Sequence, residues 1–487
     1  MTADLAPGAL TRACAQVRAA GPDDAVAGVV PRFVARPGDV TEAAAVLRAA
    51  AAEGLTAVPR GAGTRLAWGS PPTRCDLVID TRGLNRVLEH AAGDLVVRVQ
   101  AGVGLDQLAE VLAAAGQRLA LDPPPPARLP GPVHSRFTGN GTGDTIGGVL
   151  ATGVAGPLRL RYGTPRDLAI GITVVRADGT VASSGGKVVK NVAGYDLGKL
   201  FAGSYGTLGL IVEAAFRLHP LPGAISFITL DAADAASAYA VVAAASSSPL
   251  APSAAEIDRP SRQAPVRVGI LLEGDPDGVA ERSARLTELL GGVAWVSPAP
   301  PDWWGRGAAA APGGTVVRIA FWAASLAEVL GAIDAAGSAA GLDPAVSGSA
   351  AAGVIYAAVD ESAAPAAVSR FVTGLRAALA GSVSSSPAPA TTPSPAPATA
   401  PSAAPATTPS PAPATTLSPA GPPSADPISP ADSPPARASA VVLHAPAEVR
   451  AAVDLWGPVP ALGLMRAVKD QFDPEHRMAP GRFAGGI

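Results

Sequence analysis

Histidine, cysteine and charge are scarce in this sequence. Its 487 residues include five histidines and two cysteines, and only 16% of them are charged. Two cysteines cannot form a disulfide framework or hold an iron–sulfur cluster, and they suit a reducing compartment. The net charge of −3 gives no sign of binding to nucleic acid or to an acidic membrane surface. The histidines show no paired ligand spacing, so the sequence predicts no metal site.

Long apolar runs are also missing. No stretch of about 18 strongly apolar residues occurs, so we expect no membrane span. The first residues, MTADLAPGALTRAC, contain Asp4 and no apolar core, which is not the pattern of a signal peptide. We therefore expect a cytoplasmic protein that associates with a membrane only through partners. The length allows two or three domains.

Glycine, by contrast, is abundant and concentrates in residues 144–219. Two strand-like apolar runs, 170–175 and 208–216, lie among these glycines. Turns of this kind let the backbone approach a flat or phosphorylated ligand, and their amides can form anion-binding nests. A β-rich core with many tight turns is the alternative interpretation.

A second glycine segment follows a predicted strand–helix–strand unit near the N-terminus. A strand at 29–35, a helix at 40–53 and a strand at 55–59 lead to the loop Arg60-Gly61-Ala62-Gly63-Thr64. This βαβ-like order makes a phosphate at the loop physically plausible. The G-x-G-x-x-G dinucleotide pattern is not present, and an ordinary β-turn is the alternative.

Beyond residue 220 the pattern changes to strands that alternate with alanine-rich helices. Strands at 225–230, 266–272, 316–321 and 354–359, with helices between them, predict an α+β domain with a mainly antiparallel sheet over residues 221–380. Residues 381–436 are rich in Pro, Ala, Ser and Thr and are predicted to be a disordered insert, either a passive loop expansion or a tether that docks a partner. The fold then resumes in residues 437–487.

Four segments together resemble the FAD-binding domain of the vanillyl-alcohol-oxidase or p-cresol-methylhydroxylase type of flavoprotein. They are PRGAGT, TIGGVLATGVAGP, YGTPRDLAIG and GGKVVKNVAGYDLGKLFAGSYGTLGLI, in that order. Within this family the sequence is most similar to the FAD-binding accessory subunit of glycolate oxidase. The tail FDPEHRMAPGRF resembles the family's F-D-P…N-P-G-R signature, with Ala479 where asparagine is common. The resemblance implies a two-subdomain FAD-binding domain over residues 1–220, a cap over 221–380 that shapes the substrate pocket, and a C-terminal segment that completes the cap and packs on the FAD domain.

The resemblance also implies which residues line the cofactor. FAD is expected to be non-covalent, because no histidine before residue 90 is available to bond the flavin. For the segment that holds Lys190, a basic surface helix is the alternative. The implied cofactor-binding residues are Pro59, Arg60, Gly61, Ala62, Gly63, Thr64, Asp122, Pro123, Thr145, Ile146, Gly147, Gly148, Thr152, Gly156, Lys190, Tyr195, Gly209 and Ile211.

The implied activity is that of an FAD-dependent oxidoreductase acting on CH–OH groups, as one subunit of a complex that oxidises glycolate to glyoxylate. The implied partners are a homologous catalytic flavoprotein and an iron–sulfur subunit. The H-x-x-x-D-G-N motif of catalytic members is absent, so the catalytic residue stays unknown and an accessory role is favoured. The alternatives are a self-sufficient FAD-dependent oxidoreductase for another hydroxy acid or alcohol, and a scaffold with an unused cofactor pocket.

Overall fold

The computed structural model describes residues 7–125, 143–186, 196–307, 314–381 and 438–487. Nearly all of the predicted insert lies outside these ranges, as do Lys190 and Tyr195. In the described part, no helix has the length and apolar character to cross a bilayer.

The N-terminal part is built on a four-stranded sheet. Its elements are α1 Pro7–Ala13, β1 Val17–Ala19, β2 Phe33–Ala35, α2 Val40–Ala52, β3 Ala57–Arg60 and β4 Leu77–Asp80. The spatial order is β1-β2-β4-β3, with β2 and β3 parallel to β4. Helix α2 begins where predicted because the side chain of Asp39 accepts the amide of Glu42 and caps its first turn. The βαβ-like unit therefore delivers residues 60–64 at the end of β3.

A second, five-stranded sheet follows. Its region comprises β5 Val87–Ala91, β6 Val96–Gln100, α3 Leu105–Ala113, β7 Gln117–Arg118, α4 Ile146–Thr152, α5 Arg159–Tyr162, α6 Pro165–Leu168, β8 Ala169–Val175, β9 Val181–Gly185, α7 Leu197–Phe201, β10 Leu210–Arg217 and β11 His219–Pro220. The strand order is β5-β6-β10-β8-β9, all antiparallel. A hairpin around Asp178-Gly179 joins β8 to β9.

Polar caps set the local conformation in this region. Thr164 and Asp167 form a capping box that starts α6. The Thr145 side chain caps helix α4, which contains Gly147 and Gly148. A polar cap thus places a pair of glycines inside a helix.

The region after residue 220 forms an eight-stranded sheet with helices packed against it. Its elements are β12 Ala224–Ala232, α8 Ala235–Ser247, β13 Ala254–Arg259, β14 Val266–Gly274, α9 Pro276–Leu289, β15 Trp295–Ser297, β16 Thr315–Phe321, α10 Leu326–Ala340, β17 Ala345–Ser349, β18 Val354–Val359, α11 Pro365–Gly381, β19 Ala438–His444, α12 Ala447–Ala452 and α13 Leu462–Phe472. The order is β15-β12-β14-β13-β17-β18-β16-β19, with antiparallel pairing throughout. The α+β class with a mainly antiparallel sheet is confirmed.

After α13 the chain returns to the first sheet. Met478 forms a parallel bridge with Ala57 of β3, and the amide of Ala479 donates to the Ala57 carbonyl. Lys469 of α13 is fully buried, and its Nζ donates to Asp473 Oδ2 at 2.7 Å and to the carbonyls of Thr207 and Met478. Burial lowers the pKa of Lys469, and the Asp473 charge partly opposes that shift. The C-terminal segment is therefore fixed against the N-terminal half by a buried ion pair.

Candidate functional site

A cleft opens beside the C-terminal end of strand β3. Its empty volume is about 570 Å³, which includes the open solvent at its mouth. The lining residues come from the glycine loop, from helix α4, from the turn before β10 and from the C-terminal segment. They are Pro59, Arg60, Gly61, Ala62, Gly63, Thr64, Arg65, Leu66, Thr145, Gly148, Ala151, Thr152, Tyr205, Gly206 and Arg482.

The loop at the end of β3 requires glycine at two positions for different reasons. A Cβ added to Gly61 would lie 2.1 Å from Thr145 Oγ1, so this backbone passes too close to α4 for any side chain. Gly63 has a φ of +80°, the left-handed region that glycine adopts without strain. The loop is thus packed against the start of α4 and turned towards the cleft.

The loop amides are the most distinctive feature of this cleft. The main-chain N–H groups of Ala62, Gly63, Thr64 and Arg65 donate no hydrogen bond to any residue that the structure describes. Ala62 and Gly63 are exposed and Thr64 is half-buried, so these amides are accessible to a ligand or to water. A bend with a left-handed residue that aims successive amides at one point is an anion-binding nest. This cleft therefore suits a ligand with phosphate oxygens.

The two arginines in the loop are already neutralised. Arg60 pairs with Asp24 at 3.1 Å and with Asp80 at 3.5 Å. Arg65 pairs with Asp144, which also accepts the Thr64 hydroxyl at 2.5 Å. These carboxylates hold the loop in place, and they leave the amides rather than the side chains of Arg60 and Arg65 to meet an anion.

Tyr205, Gly206 and Arg482 form another part of the cleft wall, in contact with the loop. The amide of Tyr205, whose φ is +56°, donates to the Ala151 carbonyl of α4. The Tyr205 ring packs against Trp456 and Phe483, with centroid distances of 5.4 and 5.7 Å. Arg482 donates to the carbonyls of Leu66 and Trp68. The C-terminal segment is therefore part of this wall.

The structure brings half of the predicted cofactor residues together and places others elsewhere. All six loop residues 59–64 line the cleft with Thr145, Gly148 and Thr152. Ile146 is a core residue, and a Cβ on Gly147 would lie 2.8 Å from Ala101 Cβ. Gly209 packs beside Val175, and Ile211 is a core residue of strand β10 that pairs with Val174 of β8. Lys190 and Tyr195 lie outside the described residues.

Asp122, Pro123 and Gly156 form a separate contact next to the cleft. A Cβ on Gly156 would lie 1.8 Å from the Asp122 carbonyl oxygen, and the Asp122 carboxyl accepts the amide of Leu158 at 3.0 Å. Burial raises the pKa of Asp122 to about 7. The neighbouring Pro124 carbonyl accepts a hydrogen bond from Arg65 at 2.6 Å, which joins this contact to the cleft wall.

Sequence reasoning missed several residues of the cleft. Arg65 and Leu66 directly follow the predicted loop, so a longer segment would have included them. Ala151 lies one residue before the predicted Thr152, and Tyr205 and Gly206 fall inside a segment already used for the resemblance. Arg482 stands in the C-terminal signature, but no local pattern connects it to a loop more than 400 positions away.

Comparison with known proteins identifies an FAD-binding domain that contains the glycine loop. Residues 31–129, which include the whole 59–66 loop, match the FAD binding domain family. The chain is 35% identical over 193 residues to glycolate oxidase subunit GlcD of Bacillus subtilis, covering 40% of this chain and 38% of that protein. It is 35% identical over 187 residues to D-lactate dehydrogenase of Archaeoglobus fulgidus, 38% of each. It is 34% identical over 167 residues to glycolate oxidase subunit GlcE of Escherichia coli, 34% of this chain and 43% of that protein. The matches thus span well under half of these curated relatives.

Solved structures extend the similarity in fold across the molecule. An alkyldihydroxyacetonephosphate synthase aligns with a TM-score of 0.61 at 16% identity, over 93% of this chain and 78% of that one. The 4-ethylphenol oxidase from Gulosibacter chungangensis aligns with a TM-score of 0.57 at 14% identity, over 76% and 85%. At these identities the likeness concerns the fold alone. The unpaired loop amides fit the FAD diphosphate, so the residues present and the family match agree on the ligand.

Proposed function

We propose that this chain, which carries an FAD-binding domain of the vanillyl-alcohol-oxidase type, is the FAD-binding subunit of a complex that oxidises a 2-hydroxy acid, and specifically glycolate to glyoxylate. The observation that carries the proposal is the similarity to both glycolate oxidase subunits GlcD and GlcE. FAD, when bound, supplies the acceptor for the hydride removed from the CH–OH carbon. The proposed location is the cytoplasm.

The chain's own residues would bind and orient the cofactor. The amides of Ala62 to Arg65 would hold the diphosphate, and the packing of Gly61 on Thr145 would keep that loop against α4. Tyr205, backed by Trp456 and Phe483, would shield one side of the cleft from water. None of the described residues that line the cleft is a histidine, so a base for the substrate hydroxyl proton is not assigned.

An accessory role within a complex agrees with the cysteine content. Cys14 and Cys75 are both buried, and burial raises the pKa of the Cys75 thiol to about 12. Neither can ligate an iron–sulfur cluster, which requires several thiolates. Electrons would therefore leave through partner subunits, proposed to be a homologous catalytic flavoprotein and an iron–sulfur protein.

A second candidate is a self-sufficient FAD-dependent oxidoreductase for another hydroxy acid. The observation that favours it is the similarity to a D-lactate dehydrogenase, which is as high as that to GlcD. In this case the catalytic base would be a residue other than histidine in the cap.

Anaerobic titration of the purified, FAD-loaded chain separates the two candidates. Glycolate or D-lactate is added while the absorbance of oxidised flavin is followed. The accessory proposal expects the chain alone to stay oxidised with both substrates and to be reduced by glycolate once the two partner subunits are added. Bleaching of the chain alone would overturn the accessory role and support the self-sufficient enzyme.

A further inference from the structure

Arg482 is held in the cleft by a segment far from the glycine loop in sequence. Its side chain is 3% exposed, and Nη2 donates to the carbonyls of Leu66 at 2.9 Å and Trp68 at 2.8 Å. The segment that carries it is anchored by the buried pair of Lys469 and Asp473 and by the bridge of Met478 to β3. Arg482 is therefore a fixed part of the cleft wall.

The other terminal nitrogen of this guanidinium has no acceptor. Arg482 Nη1 is buried and makes no hydrogen bond within the part of the chain that the structure describes. No carboxylate there forms an ion pair with Arg482, and burial lowers its pKa to about 10. A buried charge is costly unless it is paired, and of the three arginines that line the cleft only Arg482 has no carboxylate partner among the described residues.

Comparison with the other arginines of the cleft strengthens this point. Arg60 is matched by Asp24 and Asp80, and Arg65 is matched by Asp144. Arg482 therefore gives the cleft a positive charge that these carboxylates do not balance. The amides that lack acceptors, those of residues 62–65, line the same cleft, so the donors and the charge favour one anion.

We propose that Arg482 is the counter-cation of the FAD diphosphate, with Nη1 as a hydrogen-bond donor to the phosphate oxygens beside the amides of the glycine loop. This inference rests on the placement of FAD in this cleft. It assigns a role to the C-terminal segment: the cofactor site is assembled from both ends of the chain, and it is incomplete without residues 473–483.

The test measures FAD affinity in Arg482→Gln and Arg482→Lys at low and high salt. For the wild type we expect the Kd for FAD to rise with salt, because ions screen the attraction between cation and diphosphate. Arg482→Gln should raise the Kd at least tenfold at low salt and show a weaker salt dependence. Arg482→Lys should keep the salt dependence of the wild type because it keeps the charge. The midpoint potential of the bound flavin should not change in either variant.

Arg376→Gln is the matched control. Arg376 also clamps main-chain carbonyls, those of Ala440, Asp454 and Leu455, but it lies outside the cleft. Its loss should lower the melting temperature and leave FAD affinity unchanged. The inference is overturned if Arg482→Gln behaves in the same way, or if it shifts the flavin potential without changing the Kd, which would place the guanidinium against the ring. A wild-type chain that binds no FAD would instead overturn the placement of the cofactor itself.

Discussion

The cleft and the junction between the N-terminal half and the eight-stranded sheet differ in how their polar groups are paired. At the junction, Arg118 of β7 makes two hydrogen bonds of 2.7 and 2.9 Å to Glu273 of β14, and the Tyr162 hydroxyl completes the cluster. In the cleft, the amides of residues 62–65 and Arg482 Nη1 have no acceptor in the described structure. At the junction a charged pair holds the fold together, whereas the cleft leaves donors available to a ligand.

The pKa of the Glu273 carboxyl shows the effect of its pairing with Arg118. Burial alone would raise the pKa of the Glu273 carboxyl, but the hydrogen bonds and charge of Arg118 outweigh burial and hold it below the ordinary value. Glu256, on the adjacent strand β13, is equally buried but is bonded to a hydroxyl, Ser349 Oγ, at 2.5 Å. Burial raises the pKa of Glu256 to about 8, with Asp122 adding to the shift. Two neighbouring glutamates thus differ because only one has a cation.

Breaking the junction should have the largest effect on stability. Arg118→Met removes the cation and leaves the Glu273 carboxylate buried and unpaired, which should lower the free energy of unfolding by about 3–5 kcal/mol. Chemical denaturation of the FAD-free chain at pH 7 measures this change. The control is Arg285→Met, which breaks an exposed pair with Glu281 and should cost about 0.5 kcal/mol or less. Equal effects of the two substitutions would contradict the structural role of the junction.

Altering the cleft should have a smaller effect on the fold and a large one on the ligand. Gly61→Val introduces a side chain where Thr145 leaves no room, and Gly63→Val forces a branched residue to a φ of +80°. Each should raise the Kd for FAD at least 100-fold, about 2.7 kcal/mol. Flavin absorbance after gel filtration and a fluorescence titration of the apoprotein measure this loss.

Gly93→Val provides the control for these two substitutions. Gly93 lies in an exposed turn with nothing near its Cβ position, so FAD affinity should not change. Full flavin occupancy in both Gly61→Val and Gly63→Val would contradict the assignment of this loop to the diphosphate.

The sequence separation of interacting residues explains which features could be predicted and which could not. Three features depend on residues that are close together in sequence. They are the loop of residues 59–64 with its glycines, helix α2 with its cap, and the β8–β9 hairpin with its turn. The partners at the junction, Arg118 and Glu273, are 155 positions apart, and Lys469 contacts Thr207 across 262 positions. Such pairs leave no local pattern. Strands β13 and β17 were missed because their buried polar residues, Glu256 and Ser349 among them, resemble a surface sequence until the fold pairs them.

A substitution at Glu256 tests most specifically why the pKa values of Glu256 and Glu273 shift in opposite directions. Because its pKa is raised to about 8 in the folded protein, the folded state binds more protons than the unfolded state between the ordinary glutamate pKa and pH 8. The stability of the wild type should therefore fall as the pH rises from 5 to 8. Glu256→Gln keeps an acceptor for Ser349 but cannot ionise, so between pH 5 and 6 its stability should fall less than that of the wild type, by about 1–2 kcal/mol, and the difference should grow further towards pH 8.

Glu273→Gln is the matched variant for this test. The pKa of Glu273 is lowered, so its stabilising contribution is present above the ordinary glutamate pKa and disappears only as the pH falls through the folded value. Glu273→Gln should therefore lower stability by a similar amount at pH 5.5 and at pH 8, without changing the slope between them. Parallel pH profiles for the wild type and Glu256→Gln would show that Glu256 is already charged in the folded protein. The cation at Glu273 would then not be what distinguishes the two glutamates.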